Sequence, residues 1–275
     1  MAVSSYNKAK VLFEQYSIPE AQIFIDVSLI DTPKKPSVLL LASKIYSEQD
    51  EAEASLNYAK RALKHSYSSI KTQVLKNLAE AYYYAGFSLE KRSCLKKSYL
   101  IWRKLVHNNK TLDNYAGLLE VSVDLQRCDD IISAMNNALK IDRAGRFSRA
   151  LYSEGCFDLS IKYIKKIIKR NKDNFQAYVT LSDILYDYSK LTTKIKSIPE
   201  LNDPLKYAYI YAKKALDIKK NSKTISEMII ILNKMIQRDS IPEFEDIQRY
   251  YDELKKLPDH KKALSLVEKR LSSRF

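Results

Sequence analysis

Apolar residues recur along this chain at intervals of three and four positions, the spacing that places them on one face of an α-helix. Turn-forming residues interrupt the pattern often, so the segments read as helix, short turn, helix. No segment alternates apolar and polar residues as a half-buried strand does, and no Asn-Gly or Asp-Gly pair marks a hairpin. The sequence therefore predicts an all-α protein.

The predicted helices form about seven pairs and one further helix. The pairs cover approximately 6–29, 36–65, 70–107, 112–141, 143–170, 174–219 and 222–256, and a capping helix covers 259–272. Pro19, Pro204 and Pro242 suit the first turn of a helix, where the backbone N–H has no partner within the helix. Ser222 precedes an apolar run as an N-cap residue would. Residues 189–203 do not fit the pairing and are predicted to be an insertion.

Similar fragments recur in these pairs, which indicates an internal repeat. First helices share the kind of fragment found at 77–86 and at 151–161. Second helices end on similar fragments at 58–63, 136–140 and 211–216. Small residues let two helix backbones approach each other closely. We therefore expect Ala62, Ala138 and Ala215 to be buried where helices cross.

The pattern resembles the tetratricopeptide repeat, a helix pair of about 34 residues with small and aromatic residues at fixed positions. In the third pair Leu75, Leu78, Ala79 and Tyr82 fall on the packing positions of the first helix, and Gly86 falls on its turn. The place where the family favours glycine is taken here by Ser43, Ala79, Ser148 and Ser182. The resemblance implies a right-handed α-α superhelix, a single tetratricopeptide-like solenoid over residues 1–275.

The resemblance also implies a concave groove that is lined by the first helices and holds a partner segment. Its register places six side chains there: Lys76, Tyr83, Arg146, Arg149, Tyr152 and Tyr186. Asn77, Asp183 and Asp187 lie beside them in sequence. Tyrosine and arginine often dominate binding energy. The alternative is that the tyrosines are half-buried packing residues.

The chain is basic, with 47 Lys and Arg against 33 Asp and Glu and a net charge of +14. A field of that size favours anionic partners. The second helix of the fifth pair carries the densest run, which comprises Lys162, Lys165, Lys166, Lys169 and Arg170. The run is predicted to be either a solvated outer face or a track for an anionic polymer, whose binding would weaken with salt.

The residues carry little sign of catalytic chemistry. The three histidines are far apart, no Cys-x-x-Cys occurs, and the four glycines are too scattered for a phosphate-binding loop. We therefore expect no enzyme activity, no metal and no cofactor. Three scattered cysteines are typical of reduced thiols in the cytoplasm. No apolar run is long enough for a membrane span.

Three functions follow from these observations. The favoured one is a non-catalytic scaffold or adaptor that binds a protein segment in the concave groove. The second is binding of nucleic acid or a charged polysaccharide to the basic surface. The third is the repeat domain of a larger enzyme, such as a polymer-handling transferase, because the chain ends on a short basic helix with Leu264, Val267 and Leu271 as its apolar stripe. That helix equally resembles a terminal cap.

The sequence leaves the oligomeric state open. Tyr6, Leu12 and Phe13 near the start would form an apolar end face at which two copies could pair.

Overall fold

The structure, a computed structural model, describes residues 2–191, 198–236 and 244–272. Within these ranges it contains sixteen α-helices and no strand, so the prediction of an all-α protein is confirmed. The helices are α1 (Ala2–Glu14), α2 (Ile18–Asp31), α3 (Pro36–Glu48), α4 (Ala52–His65), α5 (Lys71–Ser88), α6 (Arg92–Asn108), α7 (Leu112–Asp124), α8 (Cys128–Ile141), α9 (Arg146–Ser153), α10 (Phe157–Arg170), α11 (Phe175–Tyr188), α12 (Pro199–Asn202), α13 (Pro204–Ile218), α14 (Ser222–Ile236), α15 (Phe244–Lys255) and α16 (His260–Ser272).

The chain divides into two compact units, Met1–Ala138 and Leu139–Phe275, which we call the N-terminal and the C-terminal unit. The N-terminal unit holds α1 to α7 and most of α8. Its cores pack Ile25, Leu39 and Ile45 at one end and Trp102 with Leu118 towards the other. The C-terminal unit buries Tyr163, Leu181 and Ile231. That the whole chain is one solenoid stays a prediction.

Helices pack in pairs, and small residues lie where the two helices of a pair cross. Ala62, Ala138 and Ala215 have no exposed surface, which confirms the prediction that they are buried. Ser43, Ala79, Ser148 and Ser182 are buried as well.

A buried serine hydroxyl joins the two helices at four of these crossings. Ser98 donates to the carbonyl of Ala79 at 2.8 Å, and Ser160 donates to that of Ser148 at 2.7 Å. Ser182 donates to the carbonyl of Ala208 at 2.8 Å. The hydroxyl oxygens of Ser43 and Ser55 lie 3.3 Å apart. Each hydroxyl is small enough for close packing and is still hydrogen-bonded, as a buried polar group requires.

The turn inside each of the first five pairs places one residue in the left-handed region of backbone conformation. These residues are Tyr16, Asp50, Glu90, Gln126 and Gly155, with φ between 54° and 71°. The left-handed conformation reverses the chain within three residues, so the second helix packs back on the first. Only the fifth turn uses glycine, the residue that adopts this conformation without strain.

Of three local predictions, the structure shows that two are wrong, and the third lies outside the described residues. The turn predicted at Gly86 is wrong, because α5 continues to Ser88 and Gly86 lies inside it against the side chain of Leu95. The N-cap predicted at Ser222 is also wrong, since Ser222 is the first residue of α14 and Asn221 accepts from the N–H of Thr224 at 3.0 Å. The helix start predicted at Pro242 lies outside the described residues.

The predicted insertion contains the short helix α12, and residues 192–197 lie outside the described residues.

Candidate functional site

The first helices of three successive pairs line a groove in the N-terminal unit. Two adjoining depressions, of about 250 and 430 Å³, share Phe13 and Lys44. We call them together the α1–α3–α5 groove. Its main lining residues are Tyr6, Lys10, Phe13 and Glu14 of α1, Leu40, Leu41, Lys44, Ser47 and Glu48 of α3, and Gln73, Asn77 and Glu80 of α5. Tyr6 and Phe13 therefore line this groove, where the sequence suggested an end face.

Asn77 is the most unusual side chain in the groove. It is only 4 % exposed, and its carbonyl oxygen Oδ1 is buried with no hydrogen-bond partner among the described residues. A buried acceptor without a partner costs about 1–3 kcal/mol of stability. Asn77 lines the groove, so a rotation of its amide towards the groove would bring this acceptor to a group that enters it.

Charges of both signs surround Asn77. Burial raises the pKa of the Glu80 carboxyl, while the nearby ammonium groups of Lys44 and Lys76 lower it. The Glu80 side chain is nevertheless exposed to solvent at the groove surface. Neighbouring groove residues thus shield part of the Glu80 carboxylate from water, and the rest of it is in contact with solvent. Lys44 lies on α3 and Glu80 on α5, so two successive first helices present one basic and one acidic group in the groove.

Lys44 and Glu80 were not among the residues predicted from the sequence, although both follow from the register of the repeat. Each directly follows a buried small residue of a first helix, Ser43 or Ala79. In the C-terminal unit the same positions hold Arg149 after Ser148 and Asp183 after Ser182. A charged residue directly after the small residue of a first helix is the sequence feature that would have predicted Lys44 and Glu80.

The two predicted binding residues of the N-terminal unit, Lys76 and Tyr83, make different contacts in the structure. Lys76 is half-buried, and its Nζ lies 3.9 Å from Asp113 of α7. Tyr83 is half-buried and packs on the cluster around Tyr99 and Trp102. Neither lines the α1–α3–α5 groove.

In the C-terminal unit, Arg149 is held by two carboxylates of α11. Its guanidinium pairs with Asp183, and Nη1 donates to Asp187 Oδ2 at 2.7 Å. Asp187 also pairs with Lys190 at 3.2 Å. The guanidinium of Arg149 thus joins α9 to α11 and has fewer donors to offer a partner. Arg146 is exposed at the start of α9.

The other two predicted tyrosines of this unit serve largely in packing. Tyr152 is half-buried, with its ring 5.2 Å from that of Phe157, and burial raises its pKa to about 12. Tyr186 is 2 % exposed, and Lys190 Nζ lies 4.2 Å from its ring centroid. The side chain of Tyr186 therefore offers almost no surface to a partner.

The basic run on α10 is exposed, but two of its members are already engaged. Lys165 donates to Glu200 at 2.6 Å, and Arg170 donates to the carbonyl of Leu139 at 2.6 Å. Lys162, Lys166 and Lys169 share one exposed helix face and pair with no carboxylate in the described part of the chain. The free positive charge of α10 is thus a stripe of three lysines.

The described residues hold neither a metal-binding cluster nor a membrane-spanning helix. No group of three or more His, Cys, Asp or Glu side chains there is arranged to hold a metal ion. Among the described helices, none combines the length and the apolar character that crossing a bilayer requires.

The paired helices, the small residues at their crossings and the groove on the first helices define a helical repeat of the tetratricopeptide kind. The solved structures agree with this class. A thermophilic tetratricopeptide repeat protein of Thermus thermophilus matches with a TM-score of 0.50 and 13 % identity, over 68 % of this chain and 100 % of that one. The predicted tetratricopeptide-like fold is confirmed.

Two further solved structures match over more of this chain at lower similarity. A tetratricopeptide repeat protein from Parabacteroides merdae matches with a TM-score of 0.45 and 13 % identity, over 97 % of this chain and 98 % of that one. A C-terminal part of a repeat-containing protein from Cytophaga hutchinsonii gives 0.45 and 13 %, over 94 % and 98 %. No protein-family model and no curated protein matches the sequence.

Proposed function

We propose that this protein is a non-catalytic interaction scaffold that binds an extended segment of a partner protein in the α1–α3–α5 groove. The observation that carries the proposal is the unpartnered amide oxygen of Asn77, which is buried in the wall of this groove. A polypeptide backbone presents an N–H donor at every residue except proline, so it satisfies such an acceptor whatever its sequence.

The rest of the groove supplies side-chain selectivity. Tyr6, Phe13 and Leu40 offer apolar and aromatic surface, which suits apolar side chains of the segment. Lys44 and Glu80 add one charge of each sign. We therefore expect a segment with apolar residues and at least one charged residue, held through both its backbone and its side chains.

The test is peptide selection on the purified protein, followed by affinity measurements with Asn77→Leu, a variant of similar volume. We expect Asn77→Leu to bind the selected peptides roughly 10-fold or more weakly, because a lost charge-neutral hydrogen bond and an unmet donor cost about 1–3 kcal/mol. Lys44→Glu should change which peptides are selected. Asn136→Ala, on the exposed face of α8, is the matched control and should bind as the unaltered chain does.

The same variant separates a binding role from a structural one. If Asn77 is kept for a ligand, Asn77→Leu should be as stable as the unaltered chain or more stable, because it removes an unpaired buried acceptor. Lower stability together with unchanged peptide affinity would refute the proposal.

A second candidate function, binding of an anionic polymer, is favoured by the lysine stripe Lys162, Lys166 and Lys169 on α10. Affinity for heparin across a salt series tests it, since release of counterions makes such binding fall steeply with salt. Reversing the three charges to glutamate should abolish binding. An unchanged heparin affinity in that variant would exclude this stripe as the site.

A further inference from the structure

Helix α2 exposes an apolar stripe on the side that faces away from its own core. Ala21, Ile25 and Leu29 are buried in the N-terminal core. On the opposite face Ile23 is 64 %, Val27 is 41 % and Ile30 is 80 % exposed. These three residues are spaced by four and three positions, so they form one continuous ridge along the helix.

The ridge has an apolar groove beside it. Val11 of α1, which is 51 % exposed, lines a depression with Leu12 and Phe24, and Lys8 and Asn7 complete its edge. Helix α2 is therefore apolar on two opposite faces, of which only one is covered by its own core. Contiguous exposed apolar surface of this kind marks an interaction site.

We infer that this face, the ridge of Ile23, Val27 and Ile30 with the adjoining groove, pairs with the same face of a second copy of the chain. A two-fold symmetric interface brings one patch against itself, so the patch must be self-complementary. The ridge meets this requirement, because its two end residues are both isoleucine and Val27 lies between them. With α2 antiparallel to its counterpart, Val27 lies near the two-fold axis, and Ile23 of one copy faces Ile30 of the other.

The charges at the two ends of the ridge favour the same arrangement. Every charged residue of α2 is acidic, and Glu20, in the first turn, is exposed. Lys34 is exposed three residues beyond the end of α2 at Asp31. Antiparallel pairing places Glu20 of each copy beside Lys34 of the other, which gives two opposite-charge pairs by symmetry. Neither residue has an ion-pair partner within the described part of its own chain.

Lys8 also faces this surface, over the ring of Phe24 at 5.2 Å. The face thus carries both signs of charge around an apolar centre. A partner with one sign of charge would leave some of these groups facing a like charge, whereas a second copy matches Glu20 with Lys34. This inference does not depend on the function proposed for the α1–α3–α5 groove.

Sedimentation velocity over a wide range of protein concentrations tests the apolar ridge. We expect a reversible dimer for the unaltered chain. Val27→Lys should be monomeric at every concentration, because it brings two ammonium groups together in an apolar contact. Leu100→Lys is the matched control, since Leu100 of α6 is 61 % exposed away from this face, and it should dimerise normally. Circular dichroism verifies that both variants are folded.

A charge exchange tests the antiparallel register. Glu20→Lys alone and Lys34→Glu alone should each weaken the dimer roughly two- to tenfold, the range expected for two exposed ion pairs. The double variant should recover the affinity of the unaltered chain. A chain that is monomeric at all concentrations, dimerisation unaffected by Val27→Lys, or a double variant weaker than both single ones would each overturn the inference.

Discussion

At the residue scale, the sequence predicted which small residues are buried, and the tyrosines predicted for the concave groove are half-buried or buried in the structure. The buried small residues Ser43, Ala79, Ser148 and Ser182 were found from the sequence because close helix crossings require them. The predicted tyrosines lie four positions after three of these small residues. Positions i and i+4 share one helix face, so those tyrosines turn towards the neighbouring helix as the small residues do.

The residue directly after each small residue points elsewhere, since one step along a helix rotates the side chain by about 100°. This rotation carries Lys44 and Glu80 into the α1–α3–α5 groove. The sequence did not predict that the amide oxygen of Asn77 has no hydrogen-bond partner among the described residues. Its unpartnered oxygen depends on which atoms the folded chain brings near it, and no pattern along the chain encodes that.

Gly117 provides a test of packing at this scale. A Cβ on Gly117 would lie 2.4 Å from ring atoms of Trp102, which is 4 % exposed. Helix propensity favours Gly117→Ala by about 1 kcal/mol, and overpacking opposes it by roughly 1–3 kcal/mol. Because the indole has no free space, we expect a net loss of stability in urea unfolding.

The control for Gly117→Ala is the same change in a Trp102→Leu background. There the clash is absent, so the alanine should be neutral or stabilising. An equal loss in both backgrounds would show that the indole is not the cause.

Buried tyrosines predict how stability depends on alkaline pH. Burial raises the pKa of Tyr163, with Asp142 adding to the effect, and it raises that of Tyr152 to about 12. A group whose pKa is raised by folding stabilises the protein below its unfolded pKa of 10.0 and loses that contribution as the pH rises towards the folded value. The melting temperature should therefore fall between pH 10 and about 12.

Tyr163→Phe should reduce this alkaline loss, although it also lowers stability at neutral pH because Asp142 loses a hydrogen-bond donor. Tyr16→Phe is the control, since Tyr16 is 87 % exposed. If both variants keep the full alkaline loss, burial of Tyr163 does not contribute to it.

At the element scale, the helices were predicted well, and the one turn assigned to a glycine was misplaced. Pairs of helices separated by three residues follow from the apolar pattern alone. The family resemblance placed the turn of the third pair at Gly86, whereas the left-handed residue of that turn is Glu90. Four of the five left-handed turn residues are not glycine, so glycine was a poor guide to where the chain reverses.

These turns predict a pair of opposite stability changes. Glu90→Gly should raise stability by about 0.5–1 kcal/mol, because relief of left-handed strain exceeds the added entropy of the unfolded chain. Gly155→Ala should lower it by a similar amount through backbone strain, since among the described residues no atom beyond the chain neighbours of Gly155 lies within 4 Å of the added Cβ. Thermal unfolding measures both.

Glu90→Ala serves as the control for the turn variants, because alanine adopts the same strained conformation as glutamate. It should leave stability nearly unchanged. A gain equal to that of Glu90→Gly would mean that the glutamate side chain is unfavourable, and the backbone argument would fail.

At the scale of the whole molecule, the division into two compact units was not visible in the sequence. Repeat arrays are stabilised mainly by contacts between neighbouring elements, so the helix pattern continues through 138–139 without a sign of a boundary. The prediction of one solenoid rests on that continuity. The two units are distinct because each packs its own core.

The only tryptophan, Trp102, reports on the N-terminal unit alone. In the C-terminal unit the Asp142 carboxylate accepts from the N–H groups of Gly145 and Phe147, each at 2.8 Å, and from the hydroxyl of Tyr163. Asp142→Ala should cost that unit roughly 2–3 kcal/mol. We expect an earlier transition in far-ultraviolet circular dichroism, with the fluorescence transition of Trp102 unchanged. Coincident shifts would show that the units unfold together.

The buried hydroxyls at the helix crossings also determine how the width of the α1–α3–α5 groove can change. A hydrogen bond of 2.8 Å, such as that from Ser98 to the carbonyl of Ala79, tolerates only small displacements. We therefore expect the α3–α4 and α5–α6 pairs each to move as a rigid body. We expect the groove to open by rotation of one helix pair against the next. The hinges would be the connections 32–35 and 66–70.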